Sequence, residues 1–311
     1  MSKISCTFAA KLFNPLNFIR MKKFFLFGAL AVISLCMSAQ QIFVGQTNVR
    51  VNMHYEDNLD VLVDRVKTAL ENDPSLDAAQ KGMAKMLAKP IVKNTLKQQE
   101  TQKYITSLPE GEWTQIQKWD GVKNRIVNFV PELGRIAITD GETGLFIVAY
   151  PKLKLALKVV DPSWKTEQWR MSCSLPPATE NDEIEEINGF QSIANYALTP
   201  YDETNDDPDV EIIEVIGKKW TKVPASGYRL AEYGVTVQMA ASNEFFTQET
   251  NLVAYRLETE ISDVNFEIPA DYKIVSTADE LVKPLKKAIK ANALAIPLDS
   301  QFLPENIWDV K

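Results

Sequence analysis

Residues 124–160 read NRIVNFVPELGRIAITDGETGLFIVAYPKLKLALKVV, and their pattern decides the fold. Ile126 to Val130 is an apolar run of strand length. Arg135 to Thr139 sets Ile136 and Ile138 on one side. Asp140-Gly141-Glu142-Thr143-Gly144 is a glycine-rich turn. Leu145 to Tyr150 is continuously apolar, and Pro151 punctuates it. Lys152 to Val159 alternates, with Leu153, Leu155, Leu157 and Val159 opposite Lys152, Lys154 and Lys158. A lysine–leucine repeat can also form a basic amphipathic helix on a membrane. Strict period two directly after a strand, a turn and a strand favours a meander of antiparallel strands.

Upstream, residues 42–55 (IFVGQTNVRVNMHY) alternate as well. Val49, Val51, Met53 and Tyr55 oppose Arg50, Asn52 and His54, which describes a strand with one buried face. Between 58 and 105 the period becomes helical. Leu59, Leu62, Val63, Val66 and Leu70 follow i, i+3, i+4, i+7. Asn72-Asp73-Pro74 ends that helix. Ser75 or Asp77 can cap a second one that buries Met83, Met86 and Leu87. Pro90 is expected to kink or end it, with a third segment running to Ile105. The methionine stripe could instead be an adaptable binding surface, but at helical spacing it reads as core.

Downstream, 161–177 holds Trp164, Trp169, Cys173 and Pro176-Pro177 and reads as a link. Residues 183–199 form a strand region, and 202–209 (DETNDDPD) an acidic loop. Further strands are expected near 210–216, 227–239, 251–261 and 263–268. In the last, Val264, Phe266 and Ile268 alternate with Asp263, Asn265 and Glu267. Thr277-x-x-Glu280 is a capping box that opens a final helix burying Leu281, Leu285 and Ile289, with Pro284 kinking it or delaying its start. Residues 298–311 read as an irregular tail. The sum is roughly eight to ten strands, mostly antiparallel by their short connections.

The first forty residues read as a leader. Lys22 and Lys23 precede the apolar run Phe24 to Leu35, and Met37-Ser38-Ala39 ends in a small residue, the secretory pattern. The run is shorter than the about 20 residues a membrane helix needs. A lipoprotein signal wants a small residue before its cysteine, whereas Leu35 precedes Cys36. We therefore expect a signal peptide over 21–39, with 1–20 a spurious extension before the true start at Met21. The remainder, 40–297, is expected to be a single α+β domain with a helical insert at 58–105. Removing 1–39 takes five bases and no acid, so a net charge of −7 becomes −12, 29 bases against 41 acids. Of three cysteines only Cys173 stays, so no internal disulfide forms in the oxidising compartment to which such a leader sends a chain.

Composition excludes several chemistries. The chain has one histidine, His54, which cannot build a multi-histidine metal site. A Ser/His/Asp or Cys/His device would rest entirely on it, and no G-x-S-x-G appears. Phosphate-cradling glycine motifs are absent. The acidic balance argues against a nucleic-acid partner. Asp202, Glu203, Asp206, Asp207 and Asp209 are the one oxygen-rich cluster for calcium, but the EF-hand spacing fails, and a solvated loop is expected. No catalytic residue, metal site or cofactor is assigned.

The block 124–160, with its Asp-Gly turn and Lys/Leu strand, resembles exported bacterial proteins with a DUF4412-type domain, themselves similar to the LolA/LolB-like lipoprotein-carrier architecture. Ile187-Asn188-Gly189-Phe190…Asn195-Tyr196 and Phe266-Glu267-Ile268-Pro269-Ala270-Asp271-Tyr272 resemble two further segments of that family. The likeness covers about 110–275 and extends to the strand at 47–55. The sequence departs from it in the helical insert and in having Ser192 or Ala194 where a cysteine often stands. The resemblance implies a curved antiparallel half-barrel with helices packed on the concave face. It implies an acyl chain, from a lipid or lipoprotein, as ligand, and export to the periplasm or beyond in a Gram-negative bacterium. Pocket lining is then expected from Ile136, Ile138, Leu153, Leu155, Leu157, Met83 and Met86. The alternative is an envelope-assembly or protein-interaction module without a small ligand.

Overall fold

The computed structural model describes residues 42–54, 58–120, 123, 125–161, 178–202, 211–215, 218–232, 235–242, 246–258, 260–298 and 300–310. The leader, the link with Trp164, Trp169 and Cys173, and the acidic loop beyond Asp202 lie outside these residues. The chain divides into two compact units. One holds 51–110 and 242–247. The other holds the rest of the described chain.

In chain order the elements are β1 (Ile42–Met53), α1 (Leu59–Glu71), α2 (Ala78–Thr106), β2 (Gly111–Asp120), β3 (Arg125–Val130), β4 (Arg135–Asp140), β5 (Leu145–Tyr150) and β6 (Leu155–Val160). Then come β7 (Glu185–Ile187), β8 (Phe190–Pro200), β9 (Ile212–Val215), β10 (Lys218–Leu230), β11 (Thr236–Ser242), β12 (Phe246–Glu258), β13 (Lys273–Val275) and α3 (Ala278–Lys290). The thirteen strands form one curved, open, mostly antiparallel sheet in the order β13-β6-β5-β4-β3-β2-β1-β12-β11-β10-β8-β7, with β9 also on β10. The fold is α+β, as expected, with more strands than the sequence reading counts.

The block 124–160 forms the meander β3-β4-β5-β6 in register. In the turn, Asp140 Oδ1 accepts from the amides of Glu142 (2.9 Å) and Thr143 (3.2 Å). Two other connections repeat a pattern the sequence reading missed. Pro131–Leu133 and Pro151–Leu153 are each one 3-10 turn, followed by a left-handed residue, Gly134 (φ 50°) and Lys154 (φ 47°). Proline fixes φ at the first helical position, so the last strand begins at Leu155 rather than Lys152, and Leu153 falls in the turn. β13 adds to β6 in parallel, Leu157 opposite Val275.

Residues 263–268 differ from the alternating strand expected. Asp263–Phe266 is a 3-10 turn, which inverts the burial. Asn265 is fully buried and Val264 is 41% exposed. Asn265 Nδ2 donates to the carbonyls of Ser262 (2.9 Å) and Glu305 (3.0 Å), and its Oδ1 accepts from Ile307 N (2.6 Å). The segment expected as a tail is irregular in backbone but belongs to the core. Leu303, Ile307 and Val310 pack with Ile136, Ile138, Phe129 and Ile147, and Trp308 meets Tyr272 edge-on at 5.5 Å.

In the helical unit, α1 and α2 pack through Val63, Ala88 and Val92, with Leu59, Leu62, Val66 and Leu96 around them. Ion pairs Lys85–Glu71 (2.6 Å) and Lys89–Asp60 (3.1 Å) tie the pair on its surface. Pro90 does not end α2, which runs unbroken through it for 29 residues. The lost hydrogen bond is one among many in so long a helix. Asp77, not Ser75, is the cap: Gln80 N donates to Asp77 Oδ1 (2.8 Å) and Asp77 N to Gln80 Oε1 (3.0 Å). Asp77→Ala is therefore expected to cost the helical unit about 1 kcal/mol, read as a lower urea midpoint by circular dichroism. An unchanged midpoint would show that the cap is dispensable. Met83, Met86 and Leu87 are not buried; Met86 is 84% exposed. At about 100° per residue, Met86 points roughly 200° away from Ala88, which faces α1.

Candidate functional site

Period two gives the meander two faces, and they are built differently. One carries Ile116, Val127, Phe129, Ile136, Ile138, Ile147, Ala149 and Ala156. The cross-strand row Ile116–Phe129–Ile136–Ala149–Ala156 follows from the pairing. Against it pack Ile261, Tyr272, Ile296, Leu303, Ile307 and Val310 from the chain's own C-terminal quarter. Burial and the Asp271 charge push the Tyr272 hydroxyl up to about 12, so it stays a neutral packing group. This face is a closed core, apolar at its centre, with the charged Lys118, Asp120 and Asp140 buried towards the strand ends, Lys118 paired with Glu258 and Asp140 with Arg125.

The opposite face shares its side with Phe43, Trp119 and Ile126, which cluster with Val237 and Leu252. Its central row runs Gln117–Asn128–Ala137–Val148–Leu157–Val275 across six strands. The row is polar towards β2 and aliphatic towards β13. At the β13 edge Val275 is buried and Ile274 exposed, so the covered side is that of Leu157 and Val275. α3 packs on β6 and β13 and supplies the cover with Leu281 and Leu285. Pro284 lies inside α3 and does not delay its start at Ala278. The Thr277–Glu280 box holds its start, Thr277 N and Oγ1 donating to Glu280 Oε2 (3.3 and 2.9 Å). Those hydrogen bonds, the side-chain one foremost, keep the Glu280 carboxyl below its ordinary range.

The polar end is the unusual part. Gln115, Gln117 and Arg135 are buried, as are Thr47 on β1 and Gln248 and Thr250 on β12. By alternation all lie on this second face. Gln117 Nε2 donates to Gln115 Oε1 (3.2 Å). The hydroxyls of Thr47 and Thr250 and the Asn128 Oδ1 are buried with no hydrogen-bond partner among the described residues. Burial pushes the Arg135 guanidinium down, opposed by the neighbouring Tyr150 hydroxyl. Orphaned buried polar atoms cost about 1–3 kcal/mol each, so a face carrying several is unusual in a folded chain.

The residues expected to line one pocket are thus not brought together. Ile136 and Ile138 lie on the closed face, Leu155 and Leu157 on the other, and Leu153 in a turn. Met83 and Met86 stand exposed on α2. His54 follows the end of β1, where its carbonyl accepts from Asn58 N (3.2 Å) and Nδ2 (3.1 Å). Among the described residues no group of three or more His, Cys, Asp or Glu side chains could hold a metal ion, and no helix is long and apolar enough to cross a membrane. The polar face is what sequence reading missed. Its signal is Asn128 and Arg135 inside strands buried on both sides, where a continuous apolar run is expected.

Fold and site together define an α+β protein built on one two-faced sheet. No family model, no curated protein and no solved structure matches the chain, so the likeness to lipoprotein carriers rests on the quoted residues alone.

Proposed function

We propose an exported, non-enzymatic binding protein that holds a lipid or similar amphiphile on the second face of its sheet. The observation that carries this is the row Gln117–Asn128–Ala137–Val148–Leu157, which changes from amide to aliphatic along its length. Binding sites are mostly apolar with a few placed polar groups. Here Ala137, Val148, Leu155 and Leu157 form the apolar surface beneath α3 into which a tail would insert, and the Asn128 Oδ1 acceptor, the Thr47 and Thr250 hydroxyls and the Gln117 and Arg135 side chains face its head. A LolA-like half-barrel is the architecture this reading adopts, with α3 on the aliphatic end of the ligand face. The single histidine supports a binding role over an enzymatic one.

A fluorescent fatty acid displaced by an unlabelled one tests the proposal. Delipidated protein is expected to bind the probe. Gln117→Leu and Arg135→Met are expected to weaken it about tenfold, which is about 1.4 kcal/mol, with melting temperature followed alongside. No binding by folded wild type would overturn the reading. One observation favours the interaction-module alternative: Met83, Met86 and Leu87 are exposed on one side of α2. That alternative requires normal ligand-free folding and a partner lost on Met86→Lys.

A further inference from the structure

The hairpin joining β7 to β8 is turned by two residues, Asn188 and Gly189, between the cross-strand partners Ile187 and Phe190. Both have left-handed backbones, φ 53° and 83°. Two positive φ values in a two-residue loop define the tight hairpin turn that Asn-Gly favours, because it matches the twist of the strands. Both residues are exposed, and nothing lies within 4 Å of where a Gly189 side chain would begin. The Asn188 amide is oriented: its Nδ2 donates to Asn251 Oδ1 (3.1 Å), which also accepts from Gln238 Nε2 (3.2 Å). Asn188-Gly189 is the one Asn-Gly pair in the sequence.

We infer that Asn188 is a self-modifying site, converting in the folded protein to aspartate and isoaspartate. The Gly189 backbone nitrogen, unshielded by any side chain, loses its proton to solvent and attacks Asn188 Cγ. A new N–Cγ bond closes a five-membered imide. The Cγ–Nδ2 bond breaks, and Nδ2 leaves as ammonia. Water then opens either imide carbonyl, giving aspartate or, through the other bond, isoaspartate. No oxidant or cofactor is consumed. Asparagine is among the thermally labile residues.

The product changes this hairpin in two ways. A carboxylate cannot donate to Asn251 Oδ1, and it adds charge beside Glu185 and Glu186. Isoaspartate also inserts a methylene into a two-residue turn, which shifts the Ile187–Phe190 register. Ile187 and Phe190 pack on the cluster of Phe43, Trp119 and Leu252, and Phe190 meets Tyr255 at 5.9 Å. Conversion therefore loosens the β7 edge of the sheet while leaving the meander alone.

The test is incubation of the full chain at mildly alkaline pH and body temperature, followed by peptide mapping and enzymatic isoaspartate labelling. The hairpin peptide is expected to gain the mass difference between water and ammonia at Asn188, mostly as isoaspartate. Asn188→Gly keeps a permitted turn and is expected to melt like wild type and take no label there. An intact Asn188 in folded protein, over a time in which urea-unfolded chain converts, would overturn the inference. So would equal labelling of the hairpin peptide in Asn188→Gly.

Discussion

Asn265→Leu is expected to destabilise the sheet unit by about 2–4 kcal/mol, from three lost hydrogen bonds of which one leaves the buried Ile307 amide orphaned. Asn265 is fully buried and makes three hydrogen bonds, to the carbonyls of Ser262 and Glu305 and from the Ile307 amide. Leucine matches its size and offers none of them. The Ser262 carbonyl keeps the Asn265 amide as a donor at 3.1 Å, so its loss is partial. Ile307 N, in a fully buried residue, has no such relief among the described residues, whereas Glu305 is exposed and its carbonyl can turn to water. They sit where the chain enters the apolar core through Ile307 and Val310. The expected readout is a lower urea midpoint, with earlier hydrogen exchange at Ile307 and Val310 than in the meander. Asn265→Asp keeps the acceptor for Ile307 N and is expected to fall between. A midpoint for Asn265→Leu within experimental error of wild type would show that the C-terminal segment is not fastened there.

Gly134→Ala is expected to cost about 3–4 kcal/mol, in the upper range for a single substitution. A Cβ there would land on the Leu294 carbonyl oxygen and 2.9 Å from its carbon. Leu294 and Ile296 are buried, and Ile296 N donates to Pro131 O at 2.9 Å, so that strand of chain cannot step back cheaply. Left-handed φ alone is not the obstacle. Lys154 occupies the equivalent place in the twin turn, at φ 47°, with a full side chain. Gly189→Ala is the control, strained in φ but in open space, and is expected to cost only about 1–2 kcal/mol. Equal midpoints for Gly134→Ala and Gly189→Ala would place the cost in backbone strain, not in the close approach of Leu294.

The meander was legible because alternation, turn chemistry and strand length agreed over 124–160. The same arithmetic failed at 263–268, where Val-x-Phe-x-Ile spacing imitates a strand. A tight turn there presents Asn265 inward, and what decides it is a set of hydrogen bonds to residues forty positions away. Lys152–Lys154 failed for a local reason, since Pro151 begins a turn inside an apparently perfect alternation. Met83 and Met86 failed because both sides of α2 carry enough apolar residues to look buried, and only the partner helix chooses Ala88 and Val92. The candidate site was least legible. Gln115, Gln117 and Asn128 are ordinary polar residues until registry puts them in line on a buried face.

The two faces of one sheet are built differently, the first closed by the chain's own C-terminal segment, the second covered at its aliphatic end by α3 and carrying buried polar groups towards β2, where we propose that the ligand binds. Methyl-resolved NMR of the delipidated protein, titrated with a fatty acid, tests this most directly. The methyls of Leu155, Leu157 and Val148 are expected to shift in proportion to occupancy while those of Ile136, Ile138 and Ile147 stay in place. Shifts concentrated on the isoleucines, with Leu157 and Val148 unmoved, would contradict it.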